Sequence, residues 1–147
     1  MSIIRLPSWR EVLDGPWALR LRSGSTGPWL MRGEAREDEL DVRFVAGTAA
    51  RTAMDALSEF GTAFELEVPL GRFDDLPDAL SPGRPLALLV LDADRLLADE
   101  PAQLAPLLAG LRSAADRTLL RVIFQARELS PDAEAVLAEF GVAEIAA

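Results

Sequence analysis

Two groups of carboxylates stand out in a chain with few other means of doing chemistry. In "VPLGRFDDLPDALS", Val68 to Ser81, Asp74, Asp75 and Asp78 surround a predicted helix start, and in "LLVLDADRLL" Asp92 and Asp94 follow an apolar run. Clustered carboxylates can hold Mg²⁺, which takes oxygen ligands and keeps several of its waters. They can also move protons, or face a basic partner through charge-assisted hydrogen bonds. The rest of the chain narrows the choice. Its 147 residues include no Cys and no His, which removes disulfides, thiolate chemistry, zinc sites and every nucleophile that relies on an imidazole. All 15 basic residues are Arg, so Schiff-base chemistry and a phosphate-loop lysine are absent as well.

Asp92 and Asp94 lie just past a strand candidate, where open α/β sheets present ligand sites. The segment resembles the nucleophile motif of haloacid-dehalogenase-type phosphatases and the acidic end of an ATPase Walker B strand. Both need further parts: no Lys stabilises a phosphate, Leu96 stands where the phosphatases carry Thr or Val, and no Walker A glycine loop precedes the motif. The plainer reading is an Asp that ends a strand and opens a turn. For the first group, Asp74 and Asp78 are one helical turn apart, and like charges at that spacing repel by a few tenths of a kcal/mol, roughly. A helix N-terminus offsets this by about 0.3–1 kcal/mol for a carboxylate in the first turn. Capping accounts for one of the three acids and not for all of them.

The elements that must position these groups follow from periodicity. "LDVRFVAG", ending at Gly47, reads as a strand. "TAMDALSEFGTAF" has Met54, Leu57, Phe60 and Phe64 at helical spacing after a Thr52 cap. "PLALLVLD" is a continuous apolar run, expected of a strand buried on both faces. "PAQLAPLLAGLRSAA" places Leu104, Leu107, Leu108 and Leu111 on one helical face behind Pro101. "LLRVIFQA" is the next strand. Ser130 caps a last helix with Pro131 at its first position, Gly141 ends it, and Val142 to Ile145 reads as a short edge strand. Strands separated by helices imply right-handed crossovers and a mainly parallel sheet, hence an α/β class.

The first forty residues differ. They hold all three tryptophans, Trp9, Trp17 and Trp29, and the alternation of Trp17, Leu19 and Leu21 suggests a strand that pairs with Trp29 to Arg32 in a β-hairpin. "GEAREDELD", Gly33 to Asp41, reads as a charged linker or short helix. The expected organisation is a β-rich extension over 1–40, a central domain over 41–125, and a C-terminal helix and strand over 126–147 packed on that domain.

Charge speaks about partners. The formal net charge is −9, and residues 55–100 hold eleven acids against three arginines. Such a field repels nucleic acid and anionic lipid and attracts basic proteins. No apolar run reaches the roughly 18 residues of a membrane span, and Met1 to Arg10 lacks the pattern of a secretory signal. A cytoplasmic protein without nucleic-acid or membrane partners is expected, and no cofactor is indicated.

The order of elements and the residues of Asp41 to Gln125 resemble the barstar family of ribonuclease inhibitors. "PLGRFDDL" matches the family's segment before its second helix at Pro69, Gly71, Phe73, Asp74 and Leu76. The family's Asn is missing between Arg72 and Phe73, and Pro69 and Leu70 replace its aromatics. The family uses two aspartates one turn apart, which map onto Asp74 and Asp78, and a long-helix glutamate whose position is held here by Ser113. The resemblance implies a small α/β domain, a non-enzymatic immunity-type function, and an acidic face that occupies the active site of a basic ribonuclease or toxin. The implied contact residues are Leu70, Gly71, Phe73, Asp74, Asp75, Asp78 and Ser113. The alternative is an interaction module on the same scaffold with a non-nuclease partner.

Overall fold

The computed structural model describes residues 9–22, 41–47, 49–66, 70–76 and 85–145. The elements run α1 (Trp9–Asp14), β1 (Ala18–Leu21), β2 (Asp41–Ala46), α2 (Ala53–Ala63), a 3₁₀ turn (Phe73–Asp75), β3 (Leu86–Leu91), α3 (Asp94–Leu97), α4 (Pro101–Arg117), β4 (Leu120–Gln125), α5 (Pro131–Glu139) and β5 (Ala143–Ile145). The strands form one five-stranded sheet in the order β2-β3-β4-β1-β5, and every pairing is parallel. The α/β class is therefore observed, with a sheet that is wholly parallel among the described residues.

The apolar run of β3 is buried on both faces because helices cover both. Leu86, Leu88 and Val90 pack with Leu57 and Phe60 of α2 and Leu104 and Leu108 of α4. Ala87 and Leu89 pack on the other face with Val12 of α1, Leu19 and Leu21 of β1, and Ile123 of β4. Each fully buried Leu contributes about 1.5–3 kcal/mol, so this double cover sets the position of β3 and of the Asp residues that follow it. The chain passes from β2 to β3 to β4 in one direction across the sheet, and right-handed crossovers put α2 and α4 on one face. It enters at β1 beside β4 and leaves across β1 to β5, so connections leave in opposite directions from the adjacent strands β4 and β1.

Several local expectations hold. The Thr52 hydroxyl accepts from the Asp55 amide at 3.1 Å and caps α2, Ser130 caps α5 through the Ala133 amide at 3.2 Å, and Gly141 follows with φ +75°. β5 is an edge strand. Two expectations are corrected. Met54 is 50% exposed; the buried stripe of α2 is Ala53, Ala56, Leu57, Phe60 and Gly61, because small residues let this helix lie close to the sheet. β1 is an interior strand with both edges paired, to β4 and β5, which leaves no edge for a hairpin partner; the second arm, Trp29 to Arg32, lies outside the described residues. A helix, α1, precedes it where a β-rich extension was expected. Trp17 is buried, as a core tryptophan should be, and its indole N–H donates to the Phe140 carbonyl at 2.7 Å.

Candidate functional site

Parallel strands end on the same side of a sheet, so the turns after β2, β3 and β4 meet at one edge. The Gly47 amide donates to the Leu91 carbonyl at 2.6 Å, and a Cβ at Gly47 would run into the backbone of Asp92. Only glycine allows this approach. Asp92 takes a left-handed conformation, φ +50°, which costs a residue with a Cβ about 1–3 kcal/mol. Its amide donates to the buried Gln125 side-chain oxygen at 3.1 Å, and the next amide, Ala93, donates to the Gln125 carbonyl at 2.7 Å.

Four further side-chain clamps stitch this edge. The Asp94 carboxylate accepts from the amides of Arg127 at 3.1 Å and Glu128 at 3.2 Å, tying the turn after β3 to the turn after β4. Asp99 accepts from the Ala53 amide at the start of α2 and from the Glu100 amide, both at 2.9 Å. Arg20 of β1, only 4% exposed, donates to the carbonyls of Ala126 and Arg127 at 3.3–3.4 Å and pairs with Glu134 of α5 at 3.1 Å. Arg22 bridges Glu134 at 3.5 Å and also pairs with Glu144 of β5. A buried arginine is rare unless its donors are satisfied, and every carbonyl Arg20 reaches belongs to the turn after β4.

These turns enclose a cavity of about 430 Å³ lined by Gly47, Arg51, Asp92, Asp94, Arg95 and Arg127. Both oxygens of Asp94 are occupied by backbone amides, so this carboxylate shapes the site rather than reacting in it. Asp92 is exposed to the cavity. Among the described residues, Arg95, Arg127 and Asp92 have no ion-pair partner, and no group of three or more Asp, Glu, His or Cys is placed to hold a metal ion. Three guanidiniums against the two carboxylates of Asp92 and Asp94 leave the lining of this crevice net positive in an acidic chain. Its planar forks match the oxygens of phosphate or carboxylate.

The sequence-predicted contact residues lie elsewhere. Asp74 and Asp75 are exposed on the 3₁₀ turn, which rests on α4 where Gly110 meets the Phe73 carbonyl and the Leu76 side chain. The Asp74 side chain is 88% exposed and lies 3.6 Å from Arg72. Gly71 is exposed, and Phe73 and Ser113 are half-buried. Leu70 belongs to the core, packed on Gly61. Asp78 lies outside the described residues. The 3₁₀ turn thus brings two acids beside the long helix, while Leu70 faces inward.

Sequence reasoning placed Asp92 and Asp94 past the end of a strand but preferred a plain turn for them, and it missed Gln125, Arg51, Arg95 and Arg127. The signal was present: one arginine follows each of β2, β3 and β4 within five residues, and a polar Gln closes the apolar stretch Val122 to Phe124 of β4.

No protein-family model matches this chain, and no curated protein matches it. Solved structures do. One is Cdc6p from Pyrobaculum aerophilum, with a TM-score of 0.54 at 13% identity, covering 93% of this chain and 41% of that one. Another is a Walker-type ATPase of Pyrococcus abyssi, with a TM-score of 0.50 at 15% identity, covering 93% of this chain and 50% of that one. This chain shares its fold with domains of those proteins. It spans half of their length or less, and neither is a barstar.

Proposed function

We propose that this protein is a binding module on an ATPase-type α/β fold, and that its crevice holds a phosphate-bearing ligand, with a nucleotide as the first to test, without hydrolysing it. The observation that carries this reading is the cavity lined by Arg51, Arg95, Arg127 and Asp92 at the ends of three parallel strands. The Walker-type neighbour supports the choice of nucleotide, as does the likeness of "LLVLDADRLL" to a Walker B strand. Non-hydrolytic binding fits a chain with no lysine and with Asp94 held by backbone amides. Calorimetric titration with ATP and ADP tests it. Saturable binding that weakens about tenfold in Arg127→Gln, as the loss of one charged hydrogen-bond donor implies, together with no phosphate release, supports the reading. Absence of binding, or steady release of phosphate, overturns it.

A second reading is favoured by the exposure of Asp74 and Asp75 beside α4. On it, the protein is a barstar-like inhibitor, or an interaction module on that scaffold with a non-nuclease partner, whose acidic turn meets a basic protein. Titration against a basic ribonuclease separates the two. Inhibition lost in Asp74→Ala and at raised salt supports an acidic face, and unchanged nuclease activity removes it.

A further inference from the structure

A second cavity, of about 560 Å³, opens at the opposite edge of the sheet, where the strands begin. Its walls include Gly15 and Trp17 before β1, Arg112 and Asp116 of α4, Arg121 of β4, and Gly141 before β5. The Trp17 indole N–H is held by the Phe140 carbonyl at 2.7 Å, so the ring is a fixed wall rather than a mobile flap. Arg121 is half-buried, and its Nη1 donates to the Leu120 carbonyl at 2.8 Å. Its Nε is buried without any hydrogen-bond partner, the one such side-chain atom among the described residues. An orphaned buried donor calls for a missing acceptor.

Its position in the guanidinium indicates the acceptor. Nε and Nη2 form the edge that grips two oxygens of one carboxylate or phosphate, and Nη1, which lies on the other side, is the nitrogen already engaged. Arg112 lines the same cavity, one helical turn from Asp116, and neither has an ion-pair partner among the described residues. Two guanidiniums outweigh the single carboxylate and the partial negative charge at the end of α4.

We infer that this cavity is a binding site for a small oxyanion, a carboxylate or a phosphate, taken by Arg121 through its Nε–Nη2 edge together with Arg112 of the same lining. The Nε is covered by the protein, so the proposed contact requires the guanidinium to turn toward the cavity. The site shares no residue with the arginine-lined crevice and does not depend on its function.

Titration of the full chain with succinate and, separately, with inorganic phosphate tests it, read by thermal shift and calorimetry. The expected result is saturable stabilisation by at least one of them. That response weakens about tenfold in Arg112→Gln and in Arg121→Gln, through loss of a charged donor, and stays unchanged in Arg72→Gln, an exposed arginine beside the 3₁₀ turn that lines neither cavity. Arg112 is exposed, so its variant folds even if Arg121→Gln does not. Which of the two probes saturates distinguishes a carboxylate from a phosphate ligand. A response lost in Arg127→Gln and kept in Arg112→Gln places the anion in the crevice and overturns the inference, as does the absence of a saturable response to either probe.

Discussion

The crevice and the acidic 3₁₀ turn are held in place by different means. At the crevice, Gln125, Asp94, Asp99 and Arg20 each spend a side chain on the backbone of a neighbouring turn, and Gly47 allows a contact that no other residue permits. The 3₁₀ turn rests on α4 through Leu76 and the Phe73 carbonyl against Gly110, and its exposed Asp74 lies 3.6 Å from Arg72. Preorganised polar groups are what a small-ligand site requires. A protein-docking face needs no such support, since surface charges steer association without a rigid frame. Of the two carboxylate groups that stand out in the sequence, Asp92 and Asp94 lie in this firmly held region, and Asp74 and Asp75 lie outside it.

Substitutions can break this comparison. Gly47→Ala drives a Cβ into the Asp92 backbone and should cost the most, about 3 kcal/mol, measured by denaturant unfolding; a neutral result means that the strand ends are not tightly joined. Asp94→Ala removes the clamp between the turns after β3 and β4 and leaves two amides without their acceptor, an expected loss of about 2 kcal/mol. Asp92→Gly relieves a left-handed conformation and should raise stability by about 1 kcal/mol, while the lost carboxylate alters ligand affinity; equal stability means that Asp92 bears no strain. Asp74→Ala should change stability by less than about 0.5 kcal/mol and leave nucleotide binding untouched, and any larger loss in the melting curve means that the turn carries structural weight.

Much of the fold could be read from residue patterns, because β3 and α4 state their burial in unbroken or periodic apolar runs. The caps at Thr52 and Ser130 were equally plain. The place of β1 was not: the alternation of Trp17, Leu19 and Leu21 suits any half-buried strand, and no local signal says that its neighbours are β4 and β5, about a hundred residues away in sequence. Met54 misled because α2 packs through Ala53, Ala56 and Gly61, and small residues carry a weak hydrophobic signal. At the site, Asp92 and Asp94 were legible as strand-end acids. Arg51, Arg95 and Arg127 were scattered singly along the chain, and only a parallel sheet gathers them at one edge.

The central claim is that the arginine-lined crevice holds a phosphate-bearing ligand. The most direct measurement is calorimetric titration of the wild type and of Arg127→Gln with ATP. The account predicts saturable binding by the wild type, weakened about tenfold by the substitution. Equal affinity in both proteins, or no heat of binding in either, contradicts it.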